Sequence, residues 1–188
     1  MGTRADLAAR TRTDLLAAAK RLFTERGYLD TRVTDIAAAA GRAAGSFYTH
    51  FSDKEELLET LRAELGSVPA GDPAGTEPLR EYVAACWKAL RTHRPTAIAL
   101  LQSAIAAAPA SGRFREELTT WTAPLRRHLE TRRDLPGDPE LLAAAVGVLL
   151  AGLNHALPAG GEPEGVADVV SDLVLHGLAG PRDAPSEP

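Results

Sequence analysis

Gly27-Tyr28-Leu29-Asp30-Thr31-Arg32-Val33-Thr34-Asp35-Ile36-Ala37, then Ala40-Gly41, then Gly45-Ser46-Phe47-Tyr48-Thr49-His50-Phe51 contains two short helical segments split by a glycine. The first, Val33 to Ala40, turns Ile36 and the neighbouring alanines inward, and Gly41 breaks it. The second runs from Ala44 to His50 with Phe47 as its apolar anchor. Upstream, Leu15, Leu16, Ala19, Leu22 and Phe23 share one helical face, with Lys20, Arg21 and Glu25 turned away. That helix stops at Arg26-Gly27, a basic last turn followed by a glycine suited to the left-handed cap position. Downstream, Ser52-Asp53-Lys54-Glu55 reads as a capping box, the Ser52 hydroxyl accepting from the Glu55 N–H while the Glu55 carboxylate reaches back. The helix it opens carries Leu57, Leu58, Leu61 and Leu65. Two short helices buttressed by a longer one on either side make a helix-turn-helix.

A helix that enters a major groove about 12 Å wide needs outward residues that are short or hydrogen-bonding. Ala44, Gly45, Ser46, Thr49 and His50 satisfy this, and Ser46 and Thr49 are the base-edge candidates, although neither reads a base uniquely. Tyr48 carries a hydroxyl on a rigid arm that can reach a phosphate or simply pack its ring, and His50 can contact DNA or cap its helix. Lys54 lies at the next helix start, where it adds to the N-terminal dipole. Phe47 and Phe51 are read as core. Arg4, Arg10 and Arg12 form either an arm towards the duplex or a solvated tail; Arg126-Arg127 and Arg132-Arg133 read as a solvated helix face.

Together with Lys54-Glu55-Glu56-Leu57-Leu58, these residues closely resemble the DNA-binding head of the tetracycline-repressor (TetR) family over residues 10–60. The resemblance implies an all-α protein with an N-terminal three-helix head and a C-terminal helical ligand-binding and dimerisation domain. It implies a homodimeric transcription regulator on double-stranded DNA with a palindromic operator, and a small-molecule effector. Carried over by position, Val33 and Thr34 open the first short helix near the backbone. Ala44, Gly45, Ser46, Thr49 and His50 face the groove, and Tyr48 and Lys54 touch phosphate. The sequence departs from the family at Arg42-Ala43: an alanine here removes a cap, and Arg42 is left as a candidate extra backbone contact. Repression is the default, because a helical dimer on an operator blocks polymerase without further contacts.

Across 188 residues, 45% are hydrophobic and 24% charged, which suits one medium domain or a small module joined to a larger one. Up to Lys54 there are nine Lys and Arg against six Asp and Glu, a net +3; the remainder has twelve against nineteen, a net −7. A basic head on an acidic whole suits an anionic partner for the head alone. One cysteine, Cys86, excludes a disulfide framework and reads as a small buried hydrophobe. The five histidines show no paired metal spacing, so neither metal nor cofactor is expected. No leader is visible, and the apolar run Leu141 to Leu153 is too short for a bilayer, so a cytoplasmic protein without membrane contact is expected.

The expected domains are 1–52 for the head and 53–180 for the ligand-binding and dimerisation part, with a connecting helix over 53–65, a loop over 66–78 and a flexible tail over 181–188. Further helices are expected over 79–92, 95–107, 113–133 with an interruption at Pro124, 139–156 and 165–179. The polar ligand candidates are Gln102, Trp121 and His128, with Trp87 and Phe114 beside them; Leu90, Ile98, Leu101, Ile105, Leu118 and Leu125 complete the lining. Leu142, Ala145, Val146, Leu149, Leu150 and Leu153 on the penultimate helix recur at helical spacing. Val166, Val169, Val170, Leu173, Val174 and Leu178 do so on the last, and Gly147 and Gly152 would admit close helix approach in a dimer. Two other classes stay open. A helical sensor or adaptor without DNA binding is one. A small all-α enzyme is the other, but no nucleophile elbow, phosphate loop, dinucleotide fingerprint or zincin motif supports it.

Overall fold

The computed structural model describes residues 3–64, 79–131, 137–158 and 165–176. The described elements are α1 (Arg4–Arg26), α2 (Val33–Ala39), α3 (Ala44–Tyr48), α4 (Lys54–Glu64), α5 (Leu79–Thr92), α6 (Arg94–Ala106), α7 (Arg113–Glu130), α8 (Pro139–Ala156) and α9 (Val166–His176). A 3-10 turn, Pro109–Ser111, follows α6. Leu65, the 66–78 loop, Arg132, Arg133, Leu178 and the 181–188 tail lie outside the described residues.

Contacts group the chain into two units: Met1–Gly66 with His93–Ser111, and Ser67–Thr92 with Gly112–Pro188. The expected division after residue 52 therefore differs from the packing. Helices α4 and α6 belong with the head because Leu57, Leu58 and Leu61 of the one, and Ala99 and Leu100 of the other, are buried in its core. That core also takes Leu15, Leu16, Ala19, Leu22 and Phe23 of α1, Ile36 of α2 and Phe47 of α3.

Helix α1 starts earlier than expected. The Thr3 N–H donates to Asp6 Oδ2 at 2.7 Å and the Asp6 N–H donates to Thr3 Oγ1 at 3.2 Å, a reciprocal cap. Arg4, Arg10 and Arg12 thus ride on a helix, which corrects both the arm and the tail. Arg12 folds back: its guanidinium lies 5.0 Å over the Phe51 ring and donates to Thr60 Oγ1 at 3.2 Å. The cap of α4 is shifted by one residue from the expected box. Asp53 Oδ1 accepts from the Glu56 N–H at 2.8 Å, and Glu56 Oε2 accepts from the Ser52 N–H at 2.6 Å. The physical reason is that Glu55 is taken by the Tyr28 hydroxyl, which donates to it at 2.8 Å.

In the second unit α7 runs on through Pro124 without interruption, a correction to the expected break. Helix α8 opens on Asp138, which accepts from the Glu140 N–H at 3.2 Å, with Pro139 in the first turn where its missing N–H costs nothing. By length and composition α8 could cross a bilayer, longer than the apolar run alone suggested; Ala143, Val146, Gly147 and Leu150 are buried within the unit, but only 28% of that apolar stretch is. Gly147 lets α8 press onto α7, since a Cβ there would fall 2.5 Å from Thr122 Cγ2. Its role is therefore inside the chain, and Val146, Leu150 and Val170 are likewise internal core rather than dimer surface. Arg80 of α5 spans Asp168 and Asp172 of α9.

Candidate nucleic-acid interface

The site begins at the turn after α1. Gly27 sits at φ +84°, a backbone angle that disfavours any side chain, and a Cβ there would lie 3.2 Å from the Gln102 amide. This allows Gln102 Oε1 to accept from the Tyr28 N–H at 2.8 Å. Lys54 Nζ donates to Tyr28 O at 2.8 Å and to Thr31 O at 2.9 Å, while standing 4.1 Å over the Tyr28 ring. Burial holds the Lys54 ammonium below the ordinary lysine range, offset in part by Glu55 and Asp30. With the hydroxyl on Glu55, the N–H, carbonyl, hydroxyl and ring face of Tyr28 are all engaged. The turn into α2 is fixed further by Thr31 Oγ1, which donates to Gly27 O at 2.7 Å, and by Arg26 paired with Asp35 at 3.3 Å.

On this base the α2–turn–α3 unit presents one face to solvent. Val33 is half-buried against the core and Thr34 is exposed beside it. Gly45 and Thr49 are exposed, and Ala44, Ser46 and His50 are half-buried. Tyr48 is 60% exposed, its ring set edge-on to Phe47 at 5.6 Å, so that the hydroxyl stands clear of the head. Helix α3 has Ala43 as its N-cap residue and so no side-chain cap, in keeping with an alanine where the family commonly has a polar residue. Arg42 pairs with Asp14 of α1 at 3.2 Å, so its guanidinium ties the turn to α1. Lys54 faces the Tyr28–Thr31 turn with two of its protons. Asp14 and the Tyr28 clamp were invisible to spacing arguments, because 28 and 74 residues separate the partners.

The ligand candidates disperse. Gln102 belongs to the first unit, where its amide oxygen holds Tyr28. Trp121 borders a small apolar recess in the second unit, with room for about one water molecule, together with Cys86, Thr122, Leu125 and Leu150 from α5, α7 and α8. Trp87 and His128 are buried, His128 stacking on Tyr82 at 6.3 Å between ring centres, while Phe114 is 39% exposed at the start of α7.

A buttressed α2–turn–α3 with a short, small-residue outer face and an exposed tyrosine defines a helix-turn-helix protein of the DNA-binding kind. Residues 15–61 match the model of the bacterial regulatory proteins, tetR family. Over 50 residues, 27% of this chain and 24% of the relative, it is 50% identical to the transcriptional repressor KstR2 of Rhodococcus jostii (strain RHA1). The chain thus spans about a quarter of the length of the curated relatives it matches. The crystal structure of the TetR family regulator PfmR from Thermus thermophilus is 30% identical with a TM-score of 0.65, covering 87% of this chain and 98% of that one. The ketosteroid transcriptional regulator KstR2 of Mycobacterium tuberculosis is 26% identical with a TM-score of 0.60, covering 88% and 93%. The chain belongs to the TetR family.

Proposed function

We propose that the protein is a ligand-responsive transcriptional repressor that binds a palindromic operator as a homodimer in the cytoplasm, without enzymatic activity. The observation that carries the reading is the outward face of α3, small along its length with the Tyr48 hydroxyl free of the head, on a base held rigid by the Tyr28 clamp. Tyr48 supplies a phosphate contact, Arg42 holds the turn, and Ser46 meets base edges. Thr34 and Val33 complete the approach to the backbone, and His50 faces the groove.

Dimerisation is supported by an apolar stripe that α8 leaves exposed: Leu141 at 68%, Val148 at 47% and Leu149 at 37%, with Ala145 and Gly152 on the same face. Val169 of α9 is 68% exposed as well. Two copies joined there would form a four-helix seam and set two recognition helices about 34–36 Å apart, one DNA turn. A glutamate at Leu149 should leave each subunit folded and abolish the dimer in sedimentation at micromolar concentration; a wild-type monomer that still binds its operator tightly would refute the dimer.

The effector is an apolar molecule of drug-like size that lowers DNA affinity. The recess has room for little more than one water molecule, far below the roughly 300 Å³ at which drug-sized pockets begin. An effector of that size must widen it, and a ligand that favours a different arrangement is what shifts the DNA-binding equilibrium. Helix α4, which carries both the Lys54 clamp and the core leucines of the head, is the lever. A gel shift with the DNA flanking the protein's own gene, with apolar candidates added, tests the reading: no retarded, salt-sensitive complex would defeat it.

A further inference from the structure

We propose that Gly45 and Thr49 form a methyl-reading strip that selects thymine in the major groove, a specificity that rests on the DNA-binding reading above. The two residues are four apart on the recognition segment and both are exposed. Glycine in a helix lowers its stability relative to alanine. Nothing among the described residues asks for one at position 45: its φ lies outside the left-handed region, and a Cβ there would meet none of them within 4 Å. A bare Cα is therefore of use only to a surface that approaches from outside.

Thr49 completes the strip. Its hydroxyl donates to Gly45 O at 3.3 Å, which commits the proton to the helix's own backbone and leaves the γ-methyl for contact. The strip so formed offers carbon and no free donor. Thymine and cytosine differ here in the groove: the one presents a C5-methyl, the other an amino group that asks for an acceptor. Guanine is usually read by a bidentate arginine, and Arg42 is held by Asp14 at 3.2 Å. The edge that matches carbon with carbon is that of thymine.

The test uses the full chain and duplex DNA selected from a random pool. Each thymine of the selected site is then replaced by deoxyuridine, which removes the C5-methyl and nothing else. Wild-type protein should lose about three- to fivefold in affinity at one thymine of each half-site, the effect of one buried methyl. Thr49→Ser should lose that sensitivity and Thr49→Val should keep it, and Gly45→Ala should melt higher while binding more weakly. Equal affinity for every uracil-substituted site, or unchanged sensitivity in Thr49→Ser, would overturn the strip. Failure of the wild type to enrich any sequence would instead overturn the DNA-binding reading itself.

Discussion

Tyr28 and Trp87 are both buried aromatic residues with a polar handle, and the two units treat them in opposite ways. Tyr28, in the first unit, has its N–H, carbonyl and hydroxyl bonded and its ring capped by Lys54. Trp87, in the second, is 5% exposed and its Nε1 has no hydrogen-bond partner among the described residues. A buried donor left unpaired costs about 1–3 kcal/mol. The first unit spends its polar groups on holding one geometry. The second is assembled from apolar helix faces around a recess, with an unmet donor in its core. Directed bonds fix position to within tenths of an ångström, whereas apolar faces tolerate sliding, so the contrast suits a rigid reader in one unit and adaptable packing in the other.

The sharpest way to break this comparison is Tyr28→Ala. It removes a ring packed edge-on against Phe23 at 5.3 Å along with the Glu55 bond, and should cost about 3–5 kcal/mol in denaturant unfolding. A cost under about 1 kcal/mol would show that the clamp is ornamental. Next comes Gly147→Val in the second unit, which drives a branched side chain into Thr122 and should cost about 1–3 kcal/mol. If the second unit is as adaptable as its core suggests, the measured cost will fall at the low end of that range.

Gln102→Ala should cost about 1 kcal/mol, the worth of one hydrogen bond, and should speed amide exchange at Tyr28 before any other site in the head. Protection unchanged at Tyr28 would remove Gln102 from the clamp. The smallest effect is acid sensitivity. The Glu56 carboxyl is held below its usual range first by the Ser52 backbone N–H, then by the Ser52 hydroxyl. A carboxyl lowered in the folded state stabilises at neutral pH and loses that contribution as pH falls through its folded value. Thermal melts between neutral pH and about pH 2 should therefore fall less steeply for Glu56→Gln than for the wild type; parallel curves would deny the cap.

Much of the head could be read directly, because its logic is local. Periodicity identified Leu15, Leu22, Ile36 and Phe47 as core, and Gly41 marked the turn between the short helices. The α4 cap lies one residue from where spacing puts it, since two carboxylates, Glu55 and Glu56, stand within reach and a distant tyrosine chooses between them. In the second unit periodicity identified α8 and α9 as apolar. It could not divide their faces, as internal and external stripes on an almost wholly apolar helix look alike.

The sequence by itself determined the helices, the helix-turn-helix and its small outer face, for these depend on spacing, glycine breaks and side-chain size within a few turns. Only the tertiary structure decided the pairings. Arg42 meets Asp14, Gln102 meets Tyr28, Gly147 serves Thr122, and Leu141 and Val148 of α8 are left to solvent while Val146 and Leu150 are not. Each joins, or fails to join, residues far apart along the chain. Which partner a guanidinium, an amide or a helix face finds depends on where the backbone brings the far residue, and local propensity contains no term for that distance.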